Sequence, residues 1–325
     1  MNRTERIRIA AVVGPTASGK TALSVALAER MNAEIISCDS MQIYRRMEIG
    51  TARPSVEEMR GIPHHLVGTI EPEVSFSAAD YVSAAEKSLD SILERGKTPL
   101  FCGGTGLYLE AFLRGGFSDA ADGDPALRAS LTAFFQENGK DALYQRLLEC
   151  DPAAARVIHP NNVRRVIRAL EISLSGGRIK SEIDRERSEY SERYEPIVVG
   201  LLWSRSLLCE RIDRRVDEML QMGLLDETER LLREGVFDAS ETAAQAIGYK
   251  ELLPYLRGEC SLSDAVERLK TATRRYAKRQ MTWFRAHGNV HWIEADRDGK
   301  PLKFEEIVNN AENVFRDAGF YVIIK

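Results

Sequence analysis

The segment best suited to chemistry fits the phosphate-binding pattern Gly-x4-Gly-Lys-Thr. It consists of Gly14, Pro15, Thr16, Ala17, Ser18, Gly19, Lys20 and Thr21. An apolar run at residues 7–13 precedes it, and a helical pattern at residues 21–31 follows it. A strand, a glycine-rich turn and a helix N-terminus together direct backbone N–H groups at one anion. The segment therefore predicts a polyphosphate site, in which Lys20 reaches the outer phosphate and Thr21 ligates Mg2+.

Two further polar segments follow apolar runs. The second run ends in Asp39-Ser40-Met41-Gln42, and the third ends in a glycine-rich turn around Thr105. In an open parallel sheet these strand ends would lie beside the phosphate loop. Asp39 could hold Mg2+, accept a proton from a substrate or cap the next helix. The glycines could admit a substrate closely or simply form a turn. No acidic residue follows the third run, which weakens the case for an ordinary ATPase.

Basic residues are concentrated in a predicted helix at residues 270–285, which carries six of them and no acidic residue. The aromatic residues Tyr276 and Trp283 lie among them. Basic charge with interleaved aromatic rings is typical of a nucleic-acid contact surface, although a solvated helix face has a similar composition. The six basic residues are Lys270, Arg274, Arg275, Lys278, Arg279 and Arg285.

Two smaller basic groups occur earlier in the chain. Arg164 and Arg168 are one helical turn apart, beside Arg165, on a helix whose other face is apolar. Arg211 and Arg215 share a helix face shortly after the fourth predicted strand. That location suits a clamp on a leaving phosphate group, although acidic neighbours could pair with part of this group.

The order of the predicted elements indicates an α/β fold with a parallel sheet. We predict strands at residues 7–13, 34–38, 98–102, 197–203 and 290–293, and an edge strand or tail at 321–324. Residues 50–76 contain several prolines and are predicted to be irregular. Helices are predicted at residues 21–31, 78–95, 207–234, 243–256, 261–287 and 304–318.

The middle of the chain differs from both ends. From Pro125 to about Tyr194 the sequence has only helical periodicity, and strand character returns afterwards. We therefore predict an all-helical insertion at residues 119–194, within a catalytic core made of residues 1–118 and 195–325.

Composition excludes several classes of protein. The chain has 325 residues, 44% of them hydrophobic, which is enough for a large buried core. No apolar run approaches the roughly 20 residues of a membrane span, and the charged N-terminus lacks a signal-peptide core. Five scattered cysteines contain no zinc-binding pair. We expect a cytoplasmic protein without a membrane association, and nothing demands more than a monomer.

Taken together, these segments resemble the tRNA dimethylallyltransferases, also called tRNA isopentenyltransferases, of the shorter bacterial type. The resemblance runs through nearly the whole chain in order and spacing. A phosphate loop alone is common, whereas its combination with GGTGLY and RRYAKRQMTWFR is highly specific. The matching segments are GPTASGKT at 14–21, DSMQIY at 39–44, GGTGLY at 103–108, HPNNVRRVIRALEI at 159–172, RIDRRVDEML at 211–220, AIGYKE at 246–251 and RRYAKRQMTWFR at 274–285.

The resemblance implies transfer of a dimethylallyl group from dimethylallyl diphosphate to N6 of adenosine 37 in certain tRNAs, next to the anticodon. Residues 14–21 would then bind the diphosphate with Mg2+ on Thr21. Asp39 matches the general base, and Thr105 matches a threonine near the reacting adenosine. Lys20 and Arg211 or Arg215 would stabilise the departing diphosphate.

The resemblance also implies contacts with the anticodon stem-loop, which would be the RNA partner. The implied RNA-binding residues are Asp39, Ser40, Met41, Gln42, Arg128, Arg164, Arg165, Arg168, Gly248, Tyr249, Lys250, Arg274, Arg275, Lys278, Arg279, Gln280, Trp283 and Arg285.

Three alternatives share the phosphate loop. A small-molecule kinase would not need the basic helix at 270–287. An adenylate isopentenyltransferase, which acts on free nucleotides, would need neither that helix nor the insertion. A non-enzymatic RNA-binding module would hydrolyse nucleotide as a switch and form no transfer product.

Overall fold

A computed structural model describes residues 6–116, 124–175, 179–182, 191–286 and 289–320. Its main element is a six-stranded sheet in which all pairs are parallel, with strand order β3-β2-β4-β1-β5-β6. This confirms the predicted α/β parallel sheet. The six strands are β1 (Ile7–Val13), β2 (Ala33–Cys38), β3 (His64–His65), β4 (Thr98–Gly103), β5 (Tyr194–Leu202) and β6 (Val290–Glu294).

Helices flank the sheet and fill the connections. The first four are α1 (Lys20–Met31), α2 (Val56–Met59), α3 (Ala78–Glu94) and α4 (Gly106–Leu113). The middle of the chain contributes α5 (Pro125–Cys150), α6 (Pro152–Val157) and α7 (Val163–Ser175). The rest are α8 (Arg205–Gln221), α9 (Leu224–Arg233), α10 (Val236–Ala239), α11 (Glu241–Ala244), α12 (Leu253–Leu256), α13 (Leu262–Ala286) and α14 (Phe304–Asp317). A small hairpin joins β7 (Asp296–Arg297) to β8 (Lys300–Pro301).

Three sequence predictions need correction. The predicted helix at 207–234 is two helices, because Gly223 has a φ of 100° and separates α8 from α9. The predicted helix at 243–256 is reduced to two single turns, α11 and α12, with Gly248 at a φ of 109° between them. The predicted irregular segment at 50–76 contains α2 and the short edge strand β3. The predicted strand at 321–324 lies outside the described residues.

The chain divides into two compact units, residues 1–112 with 193–325, and residues 113–192. In the larger unit one core packs α1 and α14 against the sheet, with Leu27, Val199 and Phe315 inside it. A second core of that unit surrounds Tyr44 and Tyr249 and joins the segment after β2 to α8 through α13.

The smaller unit has its own core, in which α5, α6 and α7 pack around Leu143, Leu147 and Val166. Asp151 lies between α5 and α6 and accepts a hydrogen bond from the Ala154 N–H. The predicted N-terminal boundary of the insertion, at residues 118 and 119, lies outside the described residues. Among the described helices of both units, none is long and apolar enough to cross a bilayer.

Candidate phosphate and acceptor site

The sheet brings three predicted segments to one edge. β4 lies between β1 and β2, so the phosphate loop after β1, Asp39 after β2 and the turn at Gly103 and Gly104 meet at the carboxyl ends of adjacent strands. The backbones pack closely here, because a Cβ on Gly103 would lie 2.2 Å from the carbonyl oxygen of Cys38. Glycine is therefore required where β4 passes β2.

The loop at 14–21 has the backbone of a phosphate cradle. Gly14 and Gly19 have φ values of 155° and 93°, and Ala17 is left-handed at 62°. α1 begins at Lys20, directly after Gly19, so the helix N-terminus faces the loop. Strand, loop and helix thus occur in the predicted order and provide the geometry for binding an anion.

Side chains from three separate parts of the chain hold the outside of this loop. The Trp203 indole N–H donates to the Ser18 carbonyl at 2.8 Å. Arg211 Nε donates to the Ala17 carbonyl at 2.8 Å, and its guanidinium lies 4.3 Å from the Trp203 ring centroid. The Gln280 carbonyl oxygen accepts from the Thr16 N–H at 2.8 Å. The loop conformation is therefore specified by tertiary contacts as well as by its own sequence.

Lys20 is half-buried at the start of α1, and its ammonium lies 3.4 Å from the Pro15 carbonyl. Burial lowers the pKa of Lys20 from its usual value of 10.5, while nearby Cys102 and Asp39 act in the opposite direction. Ser18 is 1% exposed, and its hydroxyl has no hydrogen-bond partner within the described part of the chain. A bound anion would give the Ser18 hydroxyl a partner and would add a second, stronger partner to the half-buried ammonium.

The lowered pKa of Lys20 predicts a pH dependence. The ammonium form binds an anion, so affinity for inorganic diphosphate is full below the pKa and falls as pH rises through it. We expect this fall to begin below pH 10.5. Titration calorimetry on Lys20→Arg should show the fall displaced to higher pH, since arginine has a higher pKa than lysine and keeps its charge. The same pH profile in both proteins would contradict this role of Lys20.

The acceptor side contains Asp39, Ser40 and Thr105. Asp39 Oδ1 accepts from the N–H groups of Met41 at 2.9 Å and Gln42 at 3.3 Å. The Thr105 hydroxyl accepts from the Ser40 N–H at 3.0 Å, and the Thr105 N–H donates to the Cys38 carbonyl at 3.0 Å. Both side chains are therefore fixed by backbone groups that follow β2. Asp39 holds a turn and caps no helix, because the next helix begins only at Val56.

Tyr276 on α13 belongs to this site and was not among the predicted site residues. Its hydroxyl lies beside the side chains of Thr105 and Gln280. Burial raises the pKa of Tyr276, and the negative charge of Asp39 raises it further. The tyrosine therefore stays neutral beside Thr105. The only feature of the sequence that pointed to Tyr276 as a site residue was its position among the basic residues of the 270–285 segment.

Arg211 and Arg215 lie on one face of α8, as predicted. Burial lowers the pKa of both, and Glu58, Glu218 and Asp39 oppose this effect at Arg215. Both arginines line a cleft of about 560 Å³, together with Ala17 of the phosphate loop. Apolar side chains line the same cleft, namely Ile49, Val56, Met59, Met219 and Met222. Glu48, Glu57, Glu58 and Glu218 also line it, so the cleft next to the loop combines charged groups of both signs with apolar side chains.

The basic residues of α13 fall into two groups. Arg274 donates to both carboxylate oxygens of Asp213 at 2.6 and 2.7 Å, and Lys270 lies 2.7 Å from Asp217. These two bind α8 to α13. The exposed cations of the helix, which leave one side of it strongly positive, are Arg275, Lys278, Arg279 and Arg285.

Three residues predicted to bind RNA are held inside the protein. Tyr249 is fully buried, and its hydroxyl donates to Glu227 Oε1 at 2.7 Å. Gln280 is 5% exposed with both ends of its amide used internally. Gly248 packs on Gly50, where a Cβ would lie 3.1 Å from the Gly50 carbonyl oxygen. In this structure these three residues make contacts within the protein, and their predicted contacts with RNA stay predictions.

The remaining predicted residues of the larger unit are more accessible. The Gln42 amide donates to the carbonyls of Thr51 and Ala52 at 3.3 and 3.0 Å, while Met41 and Ser40 are half-buried. Lys250 is 45% exposed and lies 4.0 Å from Glu251. Trp283 packs on Gly106, where a Cβ would lie 2.1 Å from the indole.

In the smaller unit, Arg128 and Arg168 share one buried carboxylate. Glu171 is 1% exposed and accepts from Arg128 Nη2 at 2.9 Å and from Arg168 Nη1 at 2.9 Å. Both guanidinium groups keep a solvent-exposed side, whereas Arg164 and Arg165 are exposed on α7. Arg128 and Arg168 are therefore fixed in place, since the buried Glu171 carboxylate orients both side chains.

The six-stranded parallel sheet, flanked by helices and followed at its first strand by a glycine-rich loop, makes this an α/β protein. A comparison with known protein families is more specific than this fold class. The IPP transferase profile matches residues 42–287, and the chain belongs to this family. It is 50% identical over 296 residues to a tRNA dimethylallyltransferase of Bacillus licheniformis, covering 90% of this chain and 92% of the relative.

Solved structures agree with this family. A full-length tRNA isopentenylpyrophosphate transferase from Bacillus halodurans superposes with a TM-score of 0.70 at 43% identity, covering 96% of each chain. A eukaryotic dimethylallyltransferase acting on tRNA gives a TM-score of 0.77 at 32% identity, covering 89% of this chain and 74% of the other.

Proposed function

We propose that this protein transfers a dimethylallyl group from dimethylallyl diphosphate to N6 of adenosine 37 in tRNA and releases diphosphate. The observation that carries the proposal is the meeting of an anion-binding loop with Asp39 and Thr105 at adjacent strand ends. The names of the similar proteins support the reaction class. Their activity on tRNA also supports a cytoplasmic location for this chain.

We assign groups of this site to the bond that forms and to the bond that breaks. The exocyclic adenine amine is a weak nucleophile, so its proton needs an acceptor as the new C–N bond forms. Asp39 would accept that proton, and the Thr105 hydroxyl would position the adenine beside it. At the other end the C–O bond to diphosphate breaks, and the loop N–H groups, Lys20 and Arg215 would stabilise the departing charge.

The residues fit a Mg2+ ion bound mainly through the substrate. No group of three or more His, Cys, Asp or Glu side chains that could hold a metal occurs among the described residues. Mg2+ in phosphate sites commonly keeps waters and uses only one or two protein ligands. Thr21 would supply a hydroxyl ligand at the second residue of α1. The bound ion would neutralise charge on the diphosphate oxygens.

RNA recognition is assigned to the exposed cations of α13, with Arg274 as their anchor to α8. Arg275, Lys278 and Arg279 are exposed, and the Arg279 guanidinium lies 5.5 Å from the Tyr276 ring centroid. Unstacked loop bases bind readily to such arginine and aromatic surfaces. The proposed substrate is therefore the anticodon stem-loop, with its adenosine removed from the base stack.

The decisive experiment uses labelled dimethylallyl diphosphate, Mg2+ and an anticodon stem-loop with adenosine at position 37, followed by nucleoside mass analysis. We expect N6-dimethylallyladenosine at that position, and no product from a stem-loop carrying guanosine there. Prenylation of free AMP instead would identify an adenylate isopentenyltransferase. Unmodified RNA with phosphate transfer from ATP would identify a kinase.

The exposed cations of α13 predict a salt dependence. Arg275→Gln with Lys278→Gln should weaken stem-loop binding and reduce the slope of log K against log salt by about 0.7–0.9 per lost phosphate contact. Fluorescence anisotropy over a range of salt concentrations measures this slope. Arg297→Gln with Lys300→Gln removes the same charge from the β7–β8 hairpin and should leave the slope unchanged. Equal slopes in all three proteins would remove these α13 residues from the RNA interface.

A further inference from the structure

One face of α13 is turned toward the protein interior, although the composition of residues 270–285 predicts a nucleic-acid contact surface. Tyr276, Gln280 and Trp283 are spaced by four and three residues and therefore share this face. Tyr276 lies beside Thr105, and Trp283 packs on Gly106. Gln280, between them, is the buried member of the set.

The Gln280 amide joins two loops that are distant in sequence. Its oxygen accepts from the Thr16 N–H at 2.8 Å, and its nitrogen donates to the Gly104 carbonyl at 2.9 Å. A Cβ on Gly104 would lie 2.1 Å from that nitrogen, so the turn admits the amide only because this residue is glycine. Thr16 lies in the phosphate loop, and Gly104 directly precedes Thr105.

We propose that Gln280 is a positioning residue that sets the spacing between the phosphate loop and the acceptor turn carrying Thr105. This inference rests on the proposed function, in which the donor diphosphate occupies the loop and the adenosine lies beside Thr105. In-line displacement requires the attacking nitrogen and the departing oxygen at a fixed separation. A displacement of about 1 Å in one of them can reduce the rate by about 10²-fold.

Only a primary amide suits this position. It must accept from one backbone group and donate to another at the same time, because it bonds the half-buried Thr16 N–H and the buried Gly104 carbonyl together. Glutamate would accept from Thr16 but would face the Gly104 carbonyl oxygen without a proton. Methionine fills a similar volume and makes neither bond, so Gln280→Met removes the link with little change in packing.

Three variants test this role: Gln280→Met, Gln280→Glu and the control Thr282→Ala, an exposed position on the same helix. For Gln280→Met we expect kcat for prenyl transfer to fall about 10²-fold. The KM for the stem-loop should stay within about twofold, since the exposed cations of α13 are unchanged. The Kd for inorganic diphosphate, measured without RNA, should rise about tenfold because the loop loses a hydrogen bond that fixes it. Gln280→Glu should lose at least as much, and Thr282→Ala should match the wild type.

The measurements separate this role from a merely structural one and from failure of the proposed function. If Gln280 only supports folding, Gln280→Met lowers the thermal midpoint, and kcat per folded molecule stays at the wild-type value. That result would overturn the proposal, as would a kcat of Gln280→Met equal to that of Thr282→Ala. If the wild type does not prenylate RNA, the diphosphate measurement still tests the link, and an unchanged Kd would overturn it.

Discussion

Asp39→Asn is expected to reduce prenyl transfer by about 10²–10⁴-fold while leaving substrate binding largely intact. Asp39 Oδ1 accepts from the N–H groups of Met41 and Gln42, and an asparagine oxygen can accept the same two bonds. The substitution therefore preserves the turn after β2 and removes only the basicity of the carboxylate. Single-turnover kinetics with labelled donor and stem-loop RNA would measure the loss in the chemical step directly.

Two comparisons complete this test. Asp39→Ala also removes the turn hydrogen bonds, so it should lose activity to a similar extent and also lose some thermal stability. Asp317→Asn makes the same change of charge on the exposed end of α14 and should leave transfer unchanged. Turnover of Asp39→Asn within a fewfold of the wild type would show that another group accepts the amine proton.

Glu227→Ala is expected to destabilise the larger unit by about 3–5 kcal/mol, the largest stability effect we predict. Glu227 is 7% exposed and accepts four hydrogen bonds. Three come from the backbone N–H groups of Glu48, Ile49 and Gly50 at 3.0–3.1 Å, and one from the Tyr249 hydroxyl at 2.7 Å. Alanine would leave these donors without a partner in a site where water has little access.

Urea denaturation measures this loss, and Glu229→Ala is the matched control, because Glu229 is exposed on the same helix. Tyr249→Phe removes one of the four bonds and should give an intermediate effect. Hydrogen exchange should accelerate at the amides of residues 48–50 in Glu227→Ala. Exchange at these amides as slow as in the wild type, together with an unchanged urea midpoint, would show that the carboxylate does not stabilise the segment.

Local patterns in the sequence were sufficient for much of the fold. The strand, loop and helix at residues 7–31 were predicted because an apolar run, a glycine motif and a helical period are all features of neighbouring residues. The placement of Asp39 next to the loop followed from a general property of parallel sheets. The long helix at residues 262–286 was predicted for the same reason, since its period extends over seven turns.

The inward face of α13 could not be predicted in this way. Gln280 and Trp283 lie within a basic, aromatic run whose composition favours a nucleic-acid surface, and only the tertiary fold shows which residues of the run face the protein. The buried position of Tyr249 could not be predicted for a similar reason. It lies in a segment that resembles an RNA contact, but its hydroxyl is the partner of the buried Glu227 carboxylate, 22 residues earlier.

The sequence pattern did not predict the break between α8 and α9 or the short strand β3. Gly223 interrupts an otherwise continuous helical period, and a glycine inside such a period is compatible with either one helix or two. β3 consists of two residues, His64 and His65, and is stabilised as a strand by pairing with β2 rather than by its own sequence. β3 therefore depends on a contact with a distant part of the chain, whereas the break at Gly223 depends on a backbone angle that the helical period does not specify.

The three side chains that hold the phosphate loop have a thermodynamic consequence. Trp203, Arg211 and Gln280 each fix a different backbone group of the loop, so the bound anion does not have to order it. Ordering entropy is a major part of the free energy lost when a flexible loop binds a ligand. Diphosphate affinity in this protein is therefore expected to come with a small heat-capacity change, as for a ligand that enters a rigid receptor.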